Sequence, residues 1–138
     1  MVEFARISAT TITLDECSTA VEFASVGAIV TFAGIVRDHD GGRTVTKLEY
    51  EAHPSAASTL ESVASSVASE FLGVRIAIAH RTGRLDVGDL ALACAVSSAH
   101  RAEAFAACER LVDEVKRQVP IWKQQYFADG TQEWVGSL

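Results

Sequence analysis

The stretch LALACAVSSAHRAEAFAACERLVDEVKRQVPIWKQQYF, residues 90–127, sets the architecture. Leu90 to Val96 is an unbroken apolar run of strand length, which predicts a strand buried on both faces and central in its sheet. Ser97-Ser98-Ala99-His100-Arg101 then leads into a segment where Ala104, Phe105, Cys108, Leu111, Val112 and Val115 recur at helical spacing. That pattern predicts a helix from about His100 to Gln118 with those six side chains buried. Pro120 stops it. Ile121 to Phe127, an Asp129-Gly130 turn and Thr131 to Val135 predict a terminal β-hairpin.

Working outward, Glu3 to Ile7 reads as a short strand, and Thr13 or Asp15 as the cap of a helix running to about Ser25. Gly27 opens the β-branched run Ala28 to Val36, which ends at Arg37 before the polar loop Asp38-His39-Asp40-Gly41-Gly42-Arg43. Thr44 to Ala52 alternates, with Val45, Lys47, Glu49 and Glu51 on a wet face and Leu48, Tyr50 and Ala52 on a dry one. Pro54 suits the first turn of a helix reaching about Phe71, where Leu60, Val63, Ala64 and Val67 face inward and Gly73 terminates the turn. Val74 to Arg81 is a further strand, and Asp86-Val87-Gly88-Asp89 a turn. The order β-α-β-β-α-β-β-α-β-β gives an α+β fold, mostly antiparallel sheet with three helices and a C-terminal β-hairpin, in one domain spanning residues 1–138.

The chain has 138 residues, is 49% hydrophobic and 22% charged, and carries a net charge of −6. This acidic balance argues against nucleic acid as a partner. No apolar stretch reaches membrane-spanning length, and Met1 to Arg6 lacks a signal-peptide layout, so the cytoplasm is the expected location. Cys17, Cys94 and Cys108 are widely spaced with no Cys-x-x-Cys pair, which argues against a zinc or iron–sulfur site; Cys94 and Cys108 read as small buried side chains, and the acids Asp15-Glu16 before Cys17 disfavour a reactive thiolate. Asp38, His39 and Asp40 are adjacent and point in different directions, a poor metal cluster. No cofactor is expected.

The cations concentrate in the quoted segment. Of three lysines in the chain, Lys116 and Lys123 both lie here. His100-Arg101 stands where a helix N-terminus presents free N–H groups, a setting that suits an anion. The plainer reading has Ser98 capping the helix and both side chains in water, and from this feature alone it is the better one. Lys116 likewise has a sufficient explanation in the dipole at the helix C-terminus. It also follows the apolar face and so borders the interior. Lys123 shares a strand face with Ile121, Gln125 and Phe127, where an edge-guarding lysine is common. Arg37 ends an apolar strand at a glycine-rich loop, a frequent place for binding groups. His53 and His80 read as structural. Phe32 reads as core in preference to a pocket wall.

The order of these pieces is more restrictive than any one of them. Gly27 to Arg37, Leu48-Glu49-Tyr50-Glu51-Ala52-His53-Pro54, His80-Arg81-Thr82-Gly83, Val87-Gly88-Asp89, Ser97 to Arg101 and Pro120-Ile121-Trp122-Lys123 together resemble the large, catalytic subunit of molybdopterin synthase. The resemblance implies a sulfurtransferase of molybdenum cofactor biosynthesis. Its substrate would be cyclic pyranopterin monophosphate. Its sulfur would come from the thiocarboxylated C-terminal glycine of a separate small ubiquitin-like subunit, and its assembly would be a heterotetramer around a central homodimer. It implies Lys116 and Lys123 as catalytic residues and Arg37, His100 and Arg101 as phosphate-binding groups. Ile35, Val36, Gln124 and Gln125 match stretches of the pterin pocket. Relatives carry a charged pair where this chain has Gln124-Gln125. They also carry a basic residue near the C-terminus that reaches a neighbouring copy, whereas this sequence closes Trp134-Val135-Gly136-Ser137-Leu138. The competing reading is a non-catalytic paralogue that binds a ubiquitin-like tail or an anionic metabolite.

Overall fold

The computed structural model describes residues 1–136, so Ser137 and Leu138 of the closing segment lie outside the described residues. In chain order the elements are β1 (Val2–Ser8), α1 (Leu14–Ala20), β2 (Ala28–Ile35), β3 (His39–Asp40), β4 (Arg43–Ala52) and α2 (Ala56–Glu70). There follow β5 (Arg75–Arg81), β6 (Gly83–Asp86), β7 (Leu90–Ser98), α3 (Arg101–Gln118), β8 (Ile121–Phe127) and β9 (Gln132–Gly136). The class is α+β, with three helices and a closing hairpin. Each strand pairing is antiparallel except that of β1 with β5.

One sheet has the order β1-β5-β7-β2, and the second runs β3-β4-β8-β9 with β6 also beside β4. The apolar run of the quoted stretch becomes β7, held between β5 and β2 and covered on both faces. On one face Ile76 and Ile78 of β5 and Cys94 and Val96 of β7 join Leu60 and Val67 of α2 and Leu111 and Val115 of α3. On the other face the intervening Ala77, Ala79, Ala93 and Ala95 join Ile12, Cys17 and Val21 around α1. The period-2 alternation of large and small residues thus matches two long helices on one side and a short helix lying close on the other. Each fully buried Leu or Ile here contributes about 1.5–3 kcal/mol.

Several local expectations are corrected. Thr13 is the cap of α1, its hydroxyl accepting from the Glu16 N–H at 3.1 Å while Glu16 accepts from the Thr13 N–H at 2.9 Å. The helix nevertheless ends at Ala20 rather than near Ser25. The Val21 carbonyl accepts from the Ser97 hydroxyl at 2.7 Å, which ties the chain to β7 at that point. The polar loop after Arg37 contains a strand, β3, turning through Gly41 and Gly42, and Gly83–Asp86 pairs with β4 as β6. Val45 is buried, not on the wet face, because the register with β8 slips between Val45 and Lys47 and the extra residue turns Val45 inward. Phe105 is 61% exposed, since Ala104, Ala107, Cys108 and Leu111 already fill the inner stripe of α3. Neither serine caps α3. Ser97 is committed to Val21, the Ser98 carbonyl accepts from the Gly27 N–H at 3.0 Å, and His100 occupies the cap position without a side-chain bond.

Gly27 explains how β2 and the start of α3 come so close. A Cβ on Gly27 would lie 2.2 Å from the Ala99 carbonyl oxygen, inside any allowed contact. Only glycine lets the two backbones meet there. Strand β2 therefore begins beside the N-terminus of α3 and runs along it. An 18-residue helix spans about 27 Å and an eight-residue strand about 26 Å. The far end of β2 accordingly meets the C-terminal turn of α3.

Candidate active site

At that far end the chain builds a cavity of about 420 Å³. Phe32, Ala33, Gly34 and Ile35 of β2 form one wall, and Arg37 stands just beyond them. Ala91 and Leu92 of β7 and His80 of β5 supply further lining. Lys116 reaches in from the last turn of α3, and Lys123 of β8 sits in register opposite Tyr50 of β4. Lysines seven positions apart meet because Pro120 breaks the helix and sends the chain straight back as β8. The Lys116 Nζ lies 6.0 Å above the Phe32 ring.

The cavity holds three permanent or near-permanent cations against apolar and neutral walls. Burial lowers the Lys123 pKa below the usual lysine range. The Asp40 carboxylate opposes that shift, and the Arg37 and Lys116 charges reinforce it. Tyr50 is pushed up to about 12 by burial, so its hydroxyl stays un-ionised. His80 is pushed down to about 4 by burial, against the opposing effect of its bond to the Arg81 carbonyl, and it is uncharged at neutral pH. Its Nδ1 lies 2.8 Å from that carbonyl oxygen, which fixes the proton on Nδ1. An anion entering the cavity meets ammonium and guanidinium donors that converge on it from three parts of the chain.

The expected site residues divide into three groups: those lining the cavity, those at the far end of α3, and Val36, Gln124 and Gln125, which do not line the cavity. Ile35, Arg37, Lys116 and Lys123 line the one cavity. His100 and Arg101 do not line it. They lie at the opposite end of α3, and fifteen residues of helix put Arg101 about 22 Å from Lys116. Val36 is buried, its N–H donating to the Asp89 carbonyl at 3.0 Å and its carbonyl accepting from Gly88 at 2.9 Å. The Gln124 side chain is engaged with Gln132 at 2.7 Å and the Tyr126 hydroxyl at 3.0 Å. Gln125 is 3% exposed, and its amide donates to Asp40 at 2.7 Å. Among the described residues no group of three His, Cys, Asp or Glu side chains is placed to hold a metal ion.

Four residues near the charges escaped the sequence reading. Phe32 packs on the core, the role preferred from the sequence, and also walls the cavity, the role set aside there. Tyr50 and His80 meet edge to face with centroids 5.0 Å apart. For Tyr50 the inward half of the β4 alternation was a usable signal, while His80 in an apolar strand carried none. Asp40 was legible only as a loop acid. The three cysteines are buried, and burial pushes the Cys17 thiol up to about 11. None lines the cavity, so the site has no thiol nucleophile of its own.

A profile of the MoaE protein family matches residues 7–118. The chain belongs to this family. It is 42% identical over 134 residues to molybdopterin synthase catalytic subunit 1 of Mycobacterium tuberculosis, covering 96% of this chain and 90% of that protein. It is 39% identical over 132 residues to the molybdopterin synthase catalytic subunit of Bacillus subtilis, covering 95% and 83%. In three dimensions it resembles the crystal structure of molybdopterin synthase from Staphylococcus aureus, with a TM-score of 0.90 and 34% identity over 99% of this chain and 98% of that one. The expected family and α+β fold are therefore established. Among the described residues no helix is long and apolar enough to cross a membrane.

Proposed function

We propose that this MoaE-family chain is a sulfurtransferase that converts cyclic pyranopterin monophosphate to molybdopterin. It would draw sulfur from the thiocarboxylated C-terminus of a small ubiquitin-like subunit, and would do so in the cytoplasm. The observation that carries the reading is the convergence of Arg37, Lys116 and Lys123 on one cavity of about 420 Å³, a size that suits a fused pyranopterin ring system. Two anions must be received, a phosphate and a thiocarboxylate, and negative charge grows as the cyclic phosphate opens. Lys116 and Lys123 are assigned to that step, as proton donors and as fixed positive charge. Arg37 is the fork-shaped donor for phosphate oxygens. Leu92 and Phe32 present apolar surface to the ring, and the neutral Tyr50 and His80 add no competing charge.

His100 and Arg101 enter this reading through a second copy. Strand β2 is the outer strand of its sheet, with Ile29 and Ile35 exposed on it. One of its ends carries the cavity, and the other is fastened through Gly27 to the residues just before His100. A two-fold axis that sets two β2 edges antiparallel brings the start of one strand beside the end of the other. The partner's His100 and the partner's Arg101 then reach the mouth of the cavity and complete the phosphate site. The small subunit binds on the outside of this dimer with its tail in the same cavity.

The test is reconstitution. The purified chain is mixed with a thiocarboxylated small subunit and cyclic pyranopterin monophosphate, and molybdopterin is assayed. Product that depends on all three components is the expected result. A chain that binds the small subunit and the pterin but forms no product would support the non-catalytic reading instead.

A further inference from the structure

Two thiols that the proposed mechanism leaves unused lie in contact inside the core. Cys94 of β7 belongs to the face shared with Ile76, Ile78 and Val96, and Cys108 lies on the inner stripe of α3 that covers this face. Their Sγ atoms are 3.9 Å apart. A disulfide brings two sulfurs to about 2.05 Å, so a movement of roughly 2 Å, shared between the two side chains, joins them. Cys17 does not compete. It packs on the opposite face of the sheet, where its thiol donates to the Ala93 carbonyl at 3.6 Å.

Cys94 is fully buried, whereas Cys108 keeps 6% of its surface and borders a hollow of about 270 Å³ with Phe32, Glu109, Val112 and Asp113. The two acids repel an anionic oxidant and leave the way open to a small neutral one. The contact between the thiols lowers the Cys108 pKa, against the effect of burial, and raises that of Cys94, which burial raises further. Cys108 is therefore the first sulfur to attack and Cys94 the one that resolves. We propose that Cys94 and Cys108 form a modification site, a dithiol that a small neutral peroxide oxidises to a disulfide within the chain. The Cys108 sulfur bonds to one peroxide oxygen and the O–O bond breaks. The other oxygen leaves as water with the Cys108 proton, and Cys108 is left as a sulfenic acid. The Cys94 sulfur then bonds to the Cys108 sulfur, the S–O bond breaks, and the oxygen leaves as a second water with the Cys94 proton. Two electrons pass from the sulfur pair to the peroxide.

Phe32 connects this pair to the cavity. It stands in register with Cys94, borders the hollow beside Cys108 and lies beneath the Lys116 ammonium. Closing the bond draws α3 towards β7 behind this ring, so oxidation reaches the cavity wall. The reach to the cavity rests on the proposed function, and the bond itself does not.

The test treats the native chain with hydrogen peroxide, removes the excess with catalase, and then unfolds and alkylates the protein with iodoacetamide. Intact mass before alkylation is expected to fall by about 2 Da, the loss of two hydrogens. Cys17 alone is then alkylated, the Cys94 and Cys108 peptides are recovered linked, and dithiothreitol restores all three thiols. Three alkylated thiols after peroxide, a bond involving Cys17 or a second chain, or Cys108 carried to sulfinic acid without a link, overturns the proposal. Molybdopterin formation by the linked chain is expected to fall severalfold and to return with dithiothreitol, while Cys108→Ala treated in the same way keeps its activity. Unchanged turnover of a fully linked chain overturns the reach to the cavity. The mass measurement needs neither substrate nor partner, so its failure is distinct from failure of the sulfurtransferase reading.

Discussion

Replacing Lys116 or Lys123 by alanine is expected to lower molybdopterin formation by about 10²–10³-fold, the usual loss when one preorganised donor to a developing negative charge is removed. The fold is expected to survive both changes. Lys116 is exposed on the last turn of α3 and Lys123 is only partly buried, so neither truncation opens a core cavity. Stability measured by denaturant unfolding should stay within about 1 kcal/mol of wild type. Lys47→Ala is the control, since Lys47 stacks on Tyr126 at 4.7 Å and does not line the cavity. It should retain full activity. The double variant Lys116→Ala/Lys123→Ala should lose little more than the worse single one if both lysines serve the same step. Unchanged turnover in both single variants would remove these residues from the chemistry.

The second large effect concerns the two halves of the site. Arg101→Ala and Lys116→Ala should each be nearly inactive alone, although the two residues lie at opposite ends of α3. Co-expressed, they should recover activity. In a mixed dimer one cavity takes Lys116 from one chain and Arg101 from the other and is intact, while the second carries both defects. With random assortment half of the dimers are mixed and half of their sites work, so about one quarter of wild-type activity is expected. Recovery tracks the fraction of mixed dimers in a tag-pulldown. Absence of recovery in a demonstrated mixed dimer would mean that Arg101 serves its own chain or none.

That spatial split marks where sequence reading reaches its limit. Local chemistry was legible in the order of residues. The apolar run of β7, the helical stripe of α3, the Pro120 break and the return of Lys123 towards Lys116 all depend on neighbours in the chain. Pairings between distant strands were not. The Tyr50–Lys123 register and the meeting of Asp40 with Gln125 join residues 73 and 85 positions apart, and no periodicity encodes them. The bulge that turns Val45 inward has the same origin, because it depends on how β4 meets β8 rather than on the alternation of β4 itself. His100 and Arg101 were identified through resemblance together with Lys116. The distance between them follows only from α3 being one unbroken helix, and that distance is why the proposed phosphate site draws on a second chain.

Gly27 shows a middle case. A glycine at the head of a β-branched run reads only as the opening of a strand. Its φ is not in the left-handed region, and its task is to let the Ala99 carbonyl approach. Contact of this kind leaves no trace in composition. It is nevertheless what anchors the α3 N-terminus to the start of β2 and so sets the span between the cavity and the His100-Arg101 pair.

The central claim is most directly tested by a crystal structure of this chain with cyclic pyranopterin monophosphate bound. The account predicts the pterin against Leu92 and Phe32, with Arg37, Lys116 and Lys123 within hydrogen-bond distance of the ligand and the phosphate also met by the partner's His100 or the partner's Arg101. A ligand bound with none of Arg37, Lys116 and Lys123 in contact, for example among the α2–α3 charges around Arg110 and Arg117, would contradict it.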